Sequence, residues 1–384
     1  MNEAVILEAV RTPFGRRGGW WAQTRPDALL AQAVEGLLAR AGLPADKVED
    51  LIAGCVSQAG EQGANIGRLA AMLAGLPESV PGVSLNRMCG SSQQAVHFGA
   101  QAIAAGDMRY VVAGGVESMS RVPMFLDVTL GQGEFRGFDS LNSALLERYP
   151  LVHQMESAER IAEHWGLSQS EMDQWARESH ARAWAAADAG LHAELLPGPS
   201  ASACRDEGIR ETTDAARMAA MAPALRPPGQ GGVTAANASQ LADGAAAVLL
   251  GDRDTALADG LRPRARFLAR VALGSDPVMQ LTGVIPAARQ ALARAGLALG
   301  DIDWIEINEA FASVVLAWQR ELGANLSRVN PWGGAIAHGH PLGATGAGLM
   351  GKMLAGLEAT EGELGMQLMC IGHGMATATI IQRL

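Results

Sequence analysis

The chain is poor in cysteine, aromatics and lysine, carries more acid than base, and has no long apolar run. Its four cysteines, Cys55, Cys89, Cys204 and Cys370, lie far apart in 384 residues. No CxxC pair or disulfide-like spacing links them, which argues for a reducing compartment and a cytoplasmic location. Lysine occurs only at Lys47 and Lys352, and arginine supplies the rest of the 30 basic residues. That hints at a GC-rich bacterial genome rather than at a function. A formal net charge of −10 argues against generic nucleic-acid binding, which needs a basic face. It leaves room for a local basic pocket that takes an anionic ligand. No stretch has the apolar length of a membrane span. The segment Met1-Asn2-Glu3-Ala4-Val5-Ile6-Leu7 lacks the basic region and cleavage site of a signal peptide and reads as a first strand. The end, Ile381-Gln382-Arg383-Leu384, carries no obvious address. Two Tyr and seven Phe stand against eight Trp, yet hydrophobic residues make up 48% of the chain, ample for a core. What is abundant is glycine, at 46 residues, scattered in the manner of turns and close packing.

This length suits two or three domains or one duplicated α/β unit. In the first third, strand patterns at Val5 to Ala9, Val48 to Ala53, Val83 to Leu85 and Tyr110 to Gly115 alternate with helix patterns at Asp27 to Ala41, Gly67 to Ala74 and Gln93 to Ala105. This βαβαβαβ order predicts a mainly parallel sheet with helices on its faces. From about Ser118 to Asp243 the character changes. Irregular sequence, one or two Trp-containing helices over Ser157 to Ala187, and a Pro-, Ala- and Arg-rich stretch predict an insertion lying over the sheet. Strand signals return at Ala245 to Leu250. The last third repeats the first pattern: strands at Arg266 to Leu273, Ile302 to Ile307, Arg328 to Trp332, Gly365 to Ile371 and Met375 to Ile381, with helices at Val284 to Ala295, Ala310 to Leu322 and Gly343 to Leu357. The repeat is in element order, not in letters.

Four stretches can carry chemistry. In Asn86-Arg87-Met88-Cys89-Gly90-Ser91-Ser92 a strand turns sharply into a helix with Cys89 at its start. Unpaired N–H groups and the helix dipole there favour an anion, which predicts a lowered thiol pKa. Taken alone, Cys89 fits a buried structural cysteine as well as a nucleophile. Asn308-Glu309-Ala310-Phe311 follows a strand and opens a helix, where α/β ligand sites form, though a helix cap explains it equally. In the glycine-dense loop Gly333 to Gly346, His340 is pinned between Gly339 and Pro341 and suits a general base or a packed turn. Cys370 ends a strand, and Gly372 can offer a backbone N–H to an oxyanion. Two further patterns carry less. Gly346 to Lys352 reads GxxxxGK, but Met353 replaces the required Ser or Thr and the stretch lies in a predicted helix. His338, His340, Cys370 and His373 are zinc-ligand types without paired CxxC spacing.

Together these stretches resemble the thiolase family, the acyl-CoA acetyltransferases and 3-ketoacyl-CoA thiolases. The likeness spans the chain: Arg11 to Gly15, Asn86 to Ser92, Gly114 to Ser120, Asn237 to Gln240 with Asp243 to Ala247, Asn308 to Phe311, Gly339 to Pro341, and the Cys370 loop. It implies an α/β thiolase fold of two similar βαβαβαβ-type halves in a layered α-β-α-β-α core. On this reading one half is 1–117 plus 244–263, the inserted loop domain is 118–243, and the second half is 264–384. It implies a homodimer or homotetramer, CoA as co-substrate, and neither a metal nor a bound cofactor. By the resemblance Cys89 is the acyl-accepting nucleophile, His340 takes its proton, and Cys370 is the second acid/base. Asn308 holds a water that forms one oxyanion hole with His340, and the N–H groups of Cys89 and Gly372 form the other. Ser239 falls near the pantetheine and Arg210 near the nucleotide. His153-Gln154 is the nearest match to a His-Met pair of short-chain members.

This sequence departs from the family where many members have Gly at the position of His373. An imidazole there is expected either to alter the Cys370 thiol or to narrow the acyl pocket. Ser91 to Gln94 and Asn237 to Gln240 look more like degradative thiolases of longer or ring-bearing substrates. The implied activity is therefore CoA-dependent cleavage of 3-ketoacyl-CoA. Acetoacetyl-CoA synthesis and a catalytically silent acyl-CoA binder are the rivals.

Overall fold

Apolar runs of four to eleven residues form the longer strands, and all ten strands join one sheet in the computed structural model, which describes residues 2–130, 141–200 and 203–384. The first half runs β1 (Ala4–Arg11), β2 (Gly15–Arg16), α1 (Pro26–Ala41), β3 (Asp50–Gly54), α2 (Ile66–Leu73), β4 (Gly82–Leu85), α3 (Ser91–Ala105) and β5 (Tyr110–Ser118). Then come five helices: α4 (Leu126–Thr129), α5 (Ser143–Arg148), α6 (Gln154–His164), α7 (Gln169–Asp188) and α8 (Ala215–Ala219). β6 (Ala242–Asp252) and α9 (Arg253–Ala258) follow. The last third is β7 (Ala265–Gly274), α10 (Val284–Ala295), β8 (Trp304–Ile307), α11 (Ala312–Leu322), α12 (Ala335–His338), α13 (Leu342–Ala359), β9 (Leu364–Ile371) and β10 (Met375–Arg383).

The strand order is β4-β3-β5-β6-β1-β7-β10-β9-β8, with β2 on β6. The sheet is mixed rather than mainly parallel. β3 pairs in parallel with β4 and β5, and β8 with β9, each across a helical crossover. All other pairs are antiparallel. β9 and β10 are joined by a turn too short for a crossover, so they must run antiparallel. The two halves join edge to edge only at Val5 with Arg266 and Ile6 with Ala265. The order read outward from that seam is the same on both sides: β1, β6, β5, β3, β4 against β7, β10, β9, β8. The strand expected at Arg328 to Trp332 is a single bridge, Val329 to Ile305. Asn330 turns left-handed there (φ 45), and its side chain, in place of a ladder, bonds the N–H and C=O of Ile307 at 2.9 Å each.

Layering follows from which faces are apolar. α1 and α2 cover the outer face of the first half, and α10 and α11 that of the second. α3 and α13 share a core with strands of both halves, giving a helix-sheet-helix-sheet-helix stack. Gln93 of α3 reaches the far sheet, donating to Thr379 Oγ1 and accepting from Thr377 Oγ1, at 2.7 Å each. Lys352, the final residue of the GxxxxGK pattern, is buried inside α13 and pairs with Glu306 at 2.9 Å, far from any phosphate loop. Between β5 and β6 no described residue belongs to a strand of the sheet. That segment is tied down by Arg11 at the end of β1, whose buried guanidinium bonds Asp206 (3.0 Å) and Glu194 (3.1 Å). No described helix is long and apolar enough to cross a membrane.

Candidate active site

Cys89 stands in the elbow between β4 and α3, only 2% exposed. Local bonds shape this elbow. Asn86 donates to Val56 O (3.0 Å) and accepts from Met88 N (2.7 Å); Ser91 Oγ accepts from Arg87 N (2.9 Å) and donates to Met88 O (2.6 Å). Met88 takes a left-handed backbone, φ 45. A Cβ at Gly90 would lie 2.3 Å from Ile371 Cδ1, so the tip of β9 packs closely on the turn that carries Cys89. The other half of the molecule is therefore drawn onto the cysteine.

The lowered pKa expected from the helix terminus is not found. Burial pushes the Cys89 thiol up to about 12, and a negative Cys370 would push it further. The N–H groups of Gly372 and of Cys89 itself act the other way, so both face Sγ. A helix terminus contributes about 0.3–1 kcal/mol, less than one pKa unit, whereas full burial shifts a group by up to 3–5 units. The resting thiol is neutral and needs a base.

The buried His340 ring has Thr345 Oγ1 2.6 Å from Nδ1 and Asn308 Nδ2 3.3 Å from Nε2. The Thr345 hydroxyl donates its one proton to Pro341 O (2.9 Å), so it accepts from Nδ1–H. Nε2 then carries the lone pair, which accepts from Asn308 Nδ2. Burial lowers the His340 pKa to about 4, which keeps the ring neutral at pH 7. The Asn308 amide also donates to Cys370 Sγ at 3.9 Å, and that sulfur lies 3.8 Å from Asn308 O. Burial raises the Cys370 thiol to about 11, against the opposing N–H groups of Asn308 and Ala310. Asn308 Oδ1 is buried and bonds no other described residue.

A cavity of about 90 Å³ opens over Cys89, its wall including Met88, Met124, Phe125, Leu342, Gln154 and His373. His373 therefore lies in the cavity wall, while the groups acting on Cys370 are Asn308 and nearby N–H donors. His153 stands behind this wall: its Nδ1 caps α6 by accepting from Met155 N (3.2 Å), and its ring meets Phe125 edge-on. Arg210 belongs to a separate hollow of about 260 Å³, with His180, Arg217 and Ala238. Ser239 adjoins that hollow in sequence and is fixed by its N–H to Ala310 O at 2.9 Å. Among the described residues, no group of three or more His, Cys, Asp or Glu can hold a metal ion, so the zinc alternative has no site there.

Sequence reasoning missed three supporting residues. Thr345 orients His340, and its only signal was its place five residues on in the same loop. Glu117 is a buried carboxylate accepting from the N–H groups of Val56, Ser57 and Gly343 at 2.9–3.1 Å, which ties the cavity wall to the His340 loop. Gln280 bonds the N–H of His373 at 2.9 Å and had no signal at all.

A family model of the thiolase N-terminal domain matches residues 4–254, and one of the thiolase C-terminal domain matches residues 261–383. A steroid 3-ketoacyl-CoA thiolase of Mycobacterium tuberculosis is 48% identical, covering all of this chain and 95% of that protein. A beta-ketoadipyl-CoA thiolase of Acinetobacter baylyi is 39% identical, and a 3-ketoacyl-CoA thiolase of Klebsiella pneumoniae is 40% identical, both over the full length of each chain. With both family models spanning the strands, helices and elbow described above, the chain is a member of the thiolase family of acyltransferases.

Proposed function

We propose that this enzyme is a degradative 3-ketoacyl-CoA thiolase that splits its substrate with CoA into acetyl-CoA and a shortened acyl-CoA, and that the named residues act as follows. His340 Nε2 takes the Cys89 proton, and the thiolate attacks the keto carbon of the substrate. The N–H groups of Cys89 and Gly372 hold the oxyanion that forms on that carbon. Its collapse breaks the bond between the keto carbon and the CH₂ next to the thioester, leaving an acyl group on Cys89 and an acetyl-CoA enolate. Asn308, through a water on its Oδ1, and His340 hold the enolate oxygen, while the Cys370 thiol protonates the enolate carbon. Free CoA then gives its thiol proton to Cys370, attacks the acyl group, and releases Cys89, which recovers its proton from His340. Electrons and protons balance without a redox group.

The observation that carries this reading is the Asn308 amide, which bridges His340 Nε2 and Cys370 Sγ. A thiol raised to about 11 suits the second step, because an enolate needs an acid weaker than a carboxylic acid. Names of relatives that act on steroid, ketoadipyl and other 3-ketoacyl thioesters support cleavage over synthesis. The hollow at Arg210 and Arg217 offers cationic groups for CoA phosphates. Exposed Val83 on the edge strand, and exposed Met72 and Leu73 on α2, support action as a homodimer or homotetramer.

Mass spectrometry tests the roles. Cys89→Ala should form no acyl adduct with an acyl-CoA, and a normal adduct would remove Cys89 from the mechanism. Cys370→Ala should lose turnover by roughly 10²-fold or more while still accepting an acyl group from a simple thioester. Equal losses in both assays would contradict its role as proton shuttle.

A further inference from the structure

We propose that Gln280 is a positioning residue that locks the wall of the acyl cavity to the turn carrying the Gly372 N–H, and so sets which acyl groups the enzyme accepts. The inference rests on the thiolysis reading above. Gln280 is 1% exposed, and its amide makes three of the four hydrogen bonds it can form. Its Oε1 accepts from His373 N (2.9 Å); its Nε2 donates to Val152 O (2.8 Å) and to Ser157 Oγ (2.9 Å). Ser157 in turn donates to Val278 O at 2.7 Å, two residues before Gln280. Three segments distant in sequence therefore meet on one side chain: the β9-β10 turn, the start of α6, and the loop after β7.

Each of the first two segments contributes to the cavity. His373 lines it and follows Gly372, while Gln154 lines it from between Val152 and Ser157. The two segments also pack together: a Cβ on Gly372 would lie 2.9 Å from Gln154 Nε2 and 3.0 Å from Met88 Sδ, so these side chains stand beside the peptide that faces Cys89.

The backbone gives independent support. His373 (φ 61) and Gln280 (φ 38) both occupy the left-handed region, and they are bonded to each other. Glycine would take either position without strain, whereas a side chain there persists only when its surroundings hold it. Here the strain comes with two gains. One residue fills the cavity wall, and the other fastens that wall in place.

The experiment measures kcat/KM for thiolysis of a short and a long 3-ketoacyl-CoA, together with Tm. Gln280→Met keeps the side-chain length and removes every bond. We expect the long-to-short ratio to move by about tenfold and kcat to fall by about tenfold, as an oxyanion donor loses its placement. Ser157→Ala loosens only the amide end, so the ratio should move by severalfold with kcat within about threefold. His373→Gly should shift the ratio toward the longer substrate without lowering Tm. A folded Gln280→Met enzyme whose ratio stays within about twofold of wild type overturns the proposal, since a purely structural role would change Tm alone. If Gln280→Met does not fold, the Ser157→Ala ratio decides in the same way. The same ratio is read from Cys89 acylation by short and long acyl-CoA thioesters, which requires no thiolysis. A wild-type enzyme that acylates but never cleaves 3-ketoacyl-CoA sinks the function reading and leaves this ratio to judge Gln280.

Discussion

At the Cys89 sulfur two effects oppose each other, and their sizes decide the chemistry. Burial outweighs the helix terminus, so Cys89 rests as a neutral thiol, and burial likewise keeps the His340 imidazole neutral. The pH profile should reveal this. His340 protonates near 4 and Cys370 ionises near 11, so kcat/KM for thiolysis should be flat between about pH 5.5 and 9. It should fall on further acidification, as His340 Nε2 takes a proton, and again well above pH 9, as the Cys370 thiol loses its proton. An inflection at 6.5, the ordinary value for imidazole, would contradict a buried neutral base. Thr345 belongs to the same unit. Thr345→Val removes the acceptor for Nδ1–H and should cost roughly 10²-fold in kcat, while Thr345→Ser should retain most activity. At this scale the sequence pointed to Asn308, His340 and Cys370 through residue type and immediate neighbours, and the fold brings these three together. The thiol pKa and the tautomer were not, because both depend on atoms brought in by other segments.

Among the elements, α13 shows most clearly how packing sets composition. Its glycines mark close approaches rather than flexibility. A Cβ at Gly343 would lie 2.5 Å from Val116 O, and one at Gly346 would lie 2.5 Å from the Gln93 backbone nitrogen. Gly346→Ala places a better helix former on the helix, yet it should destabilise the fold by about 1–3 kcal/mol, because backbone cannot move aside. Chemical denaturation of the variant measures this; a stabilised variant would show that α3 and α13 are not clamped together. The helix itself was visible from its periodicity. Its burial between two sheets was not, since an element apolar on every face is also compatible with other interior positions. The missing counterpart of β4 has a similar origin. The pattern at Arg328 to Trp332 is strand-like, but Asn330 competes locally for the backbone of Ile307, a choice made by its side chain.

For the whole molecule, the stacked layers bury histidines far from the surface and link stability to pH. Burial lowers His97 to about 3, helped by Arg270 and Arg87, while the imidazole of an unfolded chain titrates near 6.5. The folded state therefore excludes a proton that the unfolded state binds. The sign follows: stability is fully present above pH 6.5 and is lost as pH falls toward about 3. Glu117, Glu306 and Glu309 are raised by burial and act in the opposite sense, so a paired comparison isolates the histidine. Relative to wild type, His97→Gln should gain roughly 2 kcal/mol between pH 7 and pH 5 in urea titrations. No relative gain would mean that His97 already carries its proton inside the fold.

The sequence by itself determined most of the order of strands and helices and the membership of the thiolase family. Those properties reside in local periodicity and short motifs, which a chain carries wherever it folds. Only the tertiary structure decided the mixed strand directions, the neutral resting state of Cys89 and His340, and the meeting of Gln280 with His373, Val152 and Ser157. These depend on distances between residues far apart in the sequence, 93 to 128 positions at Gln280, and on the exclusion of water around them, and no local pattern encodes either.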